Sequence, residues 1–252
     1  MAIAKVIIAA FAGAMIGSFV TVVAHRVPRG ESIVAPRSRC PHCGEQIAAY
    51  DNVPVVSWLF LRGRSRCCGT AISATYPLTE LALAALFAGV ALRFRDNAGE
   101  IALGLVFVSM LTAITLTDLE RRIIPNRILA VASILAVAVV AIADPGSLPE
   151  RLAAAAGAGG VLFLTALAYP QGMGMGDVKL AAAMGLFLGV SVVPALLIAL
   201  AAGAAVGIGL IARHGAAARK LAIPFGPFLA LGGIAALFAG QSLIDWYTRS
   251  FT

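Results

Sequence analysis

Long apolar runs dominate this chain and leave it few folds. Residues Ala2 to Ala24 carry a single charge, Lys5, over a length sufficient to cross a bilayer, which takes about 20 residues. Further runs follow at 78–92, 101–117, 128–143, 152–169, 192–212 and 225–244, with a shorter one ending near Gly189. Only 12% of the residues are charged, against about 25% in a soluble domain. Strand-like alternation is missing, and Ala, Leu, Gly and Val prevail, which favours helices over a barrel. The expectation is an all-α polytopic membrane protein of about eight transmembrane helices, with a small cysteine-bearing cytoplasmic insertion between the first and second.

The net charge of +7 raises the question of nucleic acid. In a membrane chain it more often records the excess of Lys and Arg on the cytoplasmic side. Residues 25–76, 118–127, 170–179 and 213–222 hold 14 of the 19 Lys and Arg. They fall on one side if the N-terminus lies outside, so that orientation is expected, with a lipid bilayer and no nucleic acid as surroundings. A cleaved signal peptide is disfavoured, because His25-Arg-Val-Pro-Arg29 makes the far flank of the first run the more positive one. The expected division is 1–24 as a first transmembrane helix, 25–76 as a loop domain and 77–252 as the main membrane domain.

Within the apolar background one stretch needs a reason. Gln171-Gly-Met-Gly-Met-Gly-Asp-Val-Lys-Leu180 runs three glycines into Asp177. A carboxylate near hydrocarbon loses hydration and is costly there. Gly172, Gly174 and Gly176 have no Cβ to obstruct a second backbone. An acid beside an open backbone edge suggests chemistry on a peptide, and that chemistry needs a second acid. Asp118, at the end of the run 101–117, is the candidate. The topology puts both aspartates near the same membrane face.

Two carboxylates that share a site cannot easily both ionise, so one retains a proton. The ionised member can take a proton from water while the protonated one polarises a carbonyl. The roles belong to the pair, not to either residue. The plainer readings are an N-cap for Asp177 and an interfacial ion pair with the neighbouring arginines for Asp118. Lys179 either tunes the pair or simply sits at the interface.

At these residues the chain resembles the type IV prepilin peptidases, membrane aspartic proteases of the Gly-x-Gly-Asp class. The likeness extends over nearly the whole chain: Gly17-Ser-Phe19, Arg26-Val-Pro-Arg-Gly-Glu-Ser32, Ser38-Arg-Cys-Pro-His-Cys43, Asp51-Asn-Val-Pro54, Ser57-Trp-Leu59, Leu61-Arg-Gly-Arg64 and Tyr76-Pro-Leu78 with Glu80. It continues through Asp118 with Ile124-Pro-Asn126, Gly172 to Leu180 and Pro224-Phe-Gly-Pro227. The resemblance implies Asp118 and Asp177 as the catalytic pair. The open backbone of Gly172, Gly174 and Gly176, with Lys179 beside it, is the expected substrate-binding stretch. The resemblance also implies removal of the basic leader from prepilins and pseudopilins at the cytoplasmic face of the bacterial inner membrane. Members with the cysteine loop usually also methylate the new N-terminal amine with S-adenosylmethionine.

The four cysteines sit in the loop as Cys40-Pro-His-Cys43 and Cys67-Cys68. Four thiolates can close a tetrahedral zinc site. The family usually spaces its second pair three apart, and Ser65 stands where the first of that pair is expected. Cys67 is then the substitute ligand, His42 is another, and a loop held by packing around Trp58 is the alternative without metal. A disulfide is disfavoured in a reducing cytoplasm. Thr21 departs from the Asn usual in the family. Ser65 and Thr21 motivate a peptidase that does not methylate. A carboxylate-dependent transporter and a structural assembly scaffold are the readings from other classes.

Overall fold

A computed structural model describes residues 2–40, 42–170, 172–215 and 223–250. Pro41, Gln171 and the part of the basic turn that holds Arg219 and Lys220 lie outside the described residues. The described residues form helices and no named strand; two isolated antiparallel bridges are the only β pairing. In order these are α1 (Ala2–Arg26), α2 (Val56–Phe60), α3 (Thr75–Arg93), α4 (Ala98–Arg121) and α5 (Asn126–Ala143). Then come α6 (Leu148–Ala168), α7 (Met175–Leu188), α8 (Val192–His214) and α9 (Gly226–Arg249).

All but the short α2 correspond to the eight apolar runs. Among the described residues seven stretches are long and apolar enough to cross a membrane, because Met175–His214 counts as one run of 40 residues. That run is two helices. The chain turns at Gly189, whose φ of 57° ends α7 after 14 residues. Starts and stops follow local chemistry. Asn97 accepts the Glu100 N–H at 3.0 Å ahead of α4, as an N-cap side chain does. Pro125 precedes α5, and Pro149 and Pro227 sit in first turns, where the missing N–H costs nothing.

The chain divides into two compact units, residues 1–101 and 102–252. In the first, α1 packs along α3. A Cβ on Gly13 would fall 2.5 Å from the Leu83 carbonyl oxygen, and one on Gly17 2.7 Å from the Glu80 Cα. Two helices that close have no room for a side chain between them. In the second unit the core is apolar throughout, from Phe107, Leu111 and Ile114 on α4 to Leu180 and Met184 on α7 and Leu229 on α9. Phe107 and Phe187 stack with centroids 4.9 Å apart. Large apolar side chains such as Ile134, Leu164 and Ile208 face outward, as lipid permits.

Candidate active site and thiol cluster

Both aspartates belong to the second unit. Asp118 lies in the last turn of α4, not in a turn after it: the helix continues to Arg121 and stops at Arg122, φ 55°. Arginines there suit the negative end of the helix dipole. The Asp118 side chain is buried, 5% exposed. One carboxylate oxygen accepts the backbone N–H of Gly226 at 2.8 Å. Gly226 is the first residue of α9, where N–H groups have no partner within the helix. Pro227 beside it has none to give, so the free donor is concentrated at Gly226. A Cβ at that position would stand 2.7 Å from the same carboxylate oxygen.

Asp177 lies in the first turn of α7 and is half-buried. Its carboxylate accepts the N–H of Gly174, the N-cap residue, at 3.2 Å. This is one half of a capping box; glycine has no side chain to supply the other. Asp177 is thus not the N-cap itself but the residue that reaches back to it. The two carboxyl groups lie within electrostatic range of each other. Each is held by a glycine N–H from a helix start, and one is more exposed than its partner.

The three glycines differ in their surroundings. Gly172 is exposed under the Tyr169 ring, and a Cβ there would strike it at 2.1 Å. Gly174 is extended, φ −81° and ψ 145°. Gly176 is already helical, with a Cβ position 3.0 Å from the Ile124 Cβ. Only the segment around Gly172–Gly174 is therefore open chain. Lys179 is exposed and donates to Asn126 Oδ1 at 3.1 Å, bringing the Ile124-Pro-Asn126 segment beside α7. Gly226 is the residue that sequence reasoning missed. A glycine before a proline at a helix start was visible, but its acceptor, 108 positions away, was not.

In the first unit the four thiols converge. All four sulfurs lie within 4.8 Å of one another, with Cys40 to Cys68 at 3.6 Å and Cys43 to Cys67 at 3.2 Å. These are not disulfides, whose sulfurs sit about 2.05 Å apart, and all four cysteines are free. A tetrahedron of Zn–S bonds of about 2.3 Å has edges of about 3.8 Å, so the donor set fits zinc. His42 is exposed and outside this group.

Two matching turns build the cluster. Arg39 bridges Gln46, and Arg64 bridges Ala71. Within them Cys40 N–H donates to Glu45 and Gly44 N–H to Cys40, while Ser65 N–H donates to Thr70 and Gly69 N–H to Ser65. Gly44 and Gly69 both take positive φ, 75° and 70°. Ser65 therefore occupies the place of Cys40 in the second turn, and Cys68 that of Cys43. Cys67 brings the fourth thiol from the position of His42. The Ser65 hydroxyl lies 3.1 Å from the Cys68 sulfur. Hydrogen bonds from Ser65 and then Thr70 push the Cys68 thiol down to about 5. At Cys43 the Glu45 N–H favours the thiolate, but the Cys67 thiol and burial outweigh it and push the group up to about 12.

The wider loop is held by Trp58, whose Nε1 donates to the Ile72 carbonyl at 3.1 Å. Gly63 passes over the ring, where a Cβ would come within 2.9 Å. Thr21 is buried on α1 and donates to the Ser18 carbonyl of its own helix at 2.7 Å.

Residues 11–94 match the family model described as bacterial peptidase A24 N-terminal domain, and residues 105–211 that of the type IV leader peptidase family. The chain is 36% identical to a prepilin leader peptidase/N-methyltransferase of Aeromonas hydrophila, over 94% of this chain and 91% of that protein. A protein of the same name from Bacillus subtilis (strain 168) is 36% identical, over 94% and 95% of the two chains. One from Burkholderia pseudomallei (strain K96243) is also 36% identical, over 90% and 83%. No solved structure matches. The first matched segment contains all four thiols and the second both aspartates, and relatives align over nearly their full length: this multi-pass membrane chain belongs to the type IV leader peptidase family.

Proposed function

We propose that the protein is an aspartic endopeptidase of the bacterial inner membrane. It removes the leader of prepilins and pseudopilins at the cytoplasmic face and then methylates the new N-terminal amine. The observation that carries the reading is the pair of carboxyls within electrostatic range, Asp118 and Asp177, each tethered by a glycine N–H at a helix start. The pair holds one proton. A water oxygen bonds to the scissile carbonyl carbon as its proton passes to the ionised carboxylate, and the other carboxyl protonates the carbonyl oxygen. Collapse breaks the C–N bond, and the amine leaves with a proton returned by the pair.

The open chain at Met173, between the turn at Gly172 and the extended N-cap Gly174, is the substrate's docking edge, met by main-chain hydrogen bonds. Gly176 keeps α7 close to Ile124, and Lys179 holds Asn126 beside it. The bias of Lys and Arg supports a cytoplasmic active face. Cys40, Cys43, Cys67 and Cys68 hold zinc, which ties the two loop turns together. S-adenosylmethionine, when bound, supplies an electrophilic methyl group. Methyl transfer is supported by the relatives' names; no strand-borne glycine-rich nucleotide loop exists among the described residues.

The test is a prepilin co-reconstituted with the protein, its products read by mass spectrometry. Leader loss with one added methyl group is expected. Leader loss alone would reduce the enzyme to a peptidase, and persistence of cleavage in Asp118→Asn or Asp177→Asn would overturn the proposal.

A further inference from the structure

The loop between α1 and α3 carries a compact apolar surface. Tyr50, Val53, Val56, Leu59 and Phe60 are all exposed, Leu59 at 62% and Phe60 at 83%. They stand together because Ser57 turns inward and donates to the Tyr50 carbonyl at 2.9 Å, fixing α2 against the Ala49–Asn52 turn. Trp58 also turns inward, onto Ile72. What α2 presents outward is therefore its apolar face, the reverse of a helix bathed in water.

The depth of this surface is set by a second observation. Val55, at the start of α2, donates its N–H to Glu80 Oε2 at 2.7 Å. Glu80 is buried on α3, five residues past its start at Thr75, or about 7.5 Å along the axis. α3 is one of the membrane-crossing stretches. Leu78 and Leu81, on either side of Glu80 in sequence, are themselves outward-facing. The patch is thus pinned at the level where α3 already meets lipid. Directly after α2 come Arg62 and Arg64, both exposed and neither ion-paired among the described residues. Residues 53–64 contain no acid.

We infer that α2 and its flanks form a lipid-surface anchor. Val56, Leu59 and Phe60 enter the boundary between headgroups and acyl chains of an acidic leaflet, while Arg62 and Arg64 engage its phosphates. A small-molecule pocket is a poorer match. The cavity between Tyr50 and Phe60 holds about 160 Å³, below the roughly 300 Å³ at which ligand pockets begin. The anchor would hold the cysteine loop flat on the membrane that α1 and α3 cross.

The test uses the full chain in vesicles of phosphatidylglycerol and phosphatidylcholine, with Trp246→Phe to simplify emission and Phe60→Trp as the probe. Trp58 supplies a constant background, measured in the parent that retains Phe60. Lipids brominated near the headgroup end of the acyl chains should quench roughly half or more of the added emission. Aqueous acrylamide should quench little of it. Arg62→Glu with Arg64→Glu should lower the bromine quenching to that seen in purely zwitterionic vesicles. Emission open to acrylamide and indifferent to bromine would overturn the anchor. So would emission indifferent to both, which would mean a covering protein surface, and so would bromine quenching unchanged by the double charge reversal.

Discussion

The Gly226 N–H points at the Asp118 carboxylate from 2.8 Å, and the glycine's missing Cβ leaves the space that the carboxylate fills. Gly226→Ala should therefore injure catalysis more than folding. The added methyl would sit 2.7 Å from the carboxylate oxygen, forcing it off its donor. A hydrogen bond to a charged group contributes about 1.5–3 kcal/mol, so leader cleavage should slow by about tenfold to hundredfold. Prepilin cleavage rates, beside a melting curve close to that of the parent, would check this.

Asp118→Asn and Asp177→Asn should each reduce cleavage by about a thousandfold or more, and the double variant should be little worse than either. Groups that act as a unit are not additive. The parent should show a bell-shaped pH profile, because the reaction needs one proton on the pair and fails with none or two. Losses that multiply in the double variant would count against a shared proton.

At the thiol cluster the ligand change is testable by metal content. Cys67→Ala should release most of the bound zinc. Ser65→Ala should keep the metal but loosen it modestly, since the Ser65 hydroxyl reaches the Cys68 sulfur without being a fourth thiol. Ser65→Cys combined with Cys67→Ala should restore zinc, because Ser65 stands where Cys40 stands in the matching turn. Zinc per chain after chelator challenge is the readout.

Glu80→Ala would remove the acceptor of the Val55 N–H. Val55 is β-branched and held at φ 62°, a conformation that persists only where its surroundings enforce it. An unsatisfied buried donor costs about 1–3 kcal/mol. Faster proteolysis and hydrogen exchange at residues 53–60 are expected, with Glu80→Gln largely sparing them.

Asp51 accepts from Arg66, with the closest contact at 2.8 Å. The Arg66 hydrogen bonds hold the Asp51 carboxyl below its ordinary value of 3.8. Its contribution to the Ala49–Asn52 turn is therefore whole above pH 3.8 and is lost as pH falls through the lower folded value. Exchange protection at Asp51, normalised for intrinsic rates, should be flat at neutral pH and fall only in strong acid. Asp51→Asn should abolish that acid dependence.

Much of this architecture was legible beforehand because lipid simplifies the code. A run of apolar residues must be a span, and an acid behind an open glycine backbone at the edge of one must have a use, which singled out Asp177 and pointed to Asp118 as its partner. Helix ends were harder. The apolar run stopped at residue 117, just short of Asp118, yet α4 carries the helix through Asp118 to Arg121 before Arg122 stops it. Gly226 was opaque for another reason: a backbone donor has no side-chain signature, and its target lies on a distant helix. Ser65 read as a departure from the expected cysteine spacing. Its equivalence to Cys40 emerged only with the bridges at Arg39–Gln46 and Arg64–Ala71. Glu80 was noted at the start of a span, but its bond to Val55 depends on how the loop folds back.

α7 has 14 residues and rises about 21 Å, while the hydrocarbon of a typical bilayer is about 30 Å thick. With Gly189 turning the chain at one end and Asp177 in the first turn at the other, this helix cannot reach both interfaces of an undistorted membrane. Either the leaflets pinch around it or water is drawn down to the carboxyls. Both outcomes bring the hydrolytic water and a lipid-borne peptide to a common level, and both make acyl-chain length a control on turnover, with thinner membranes favouring the cut.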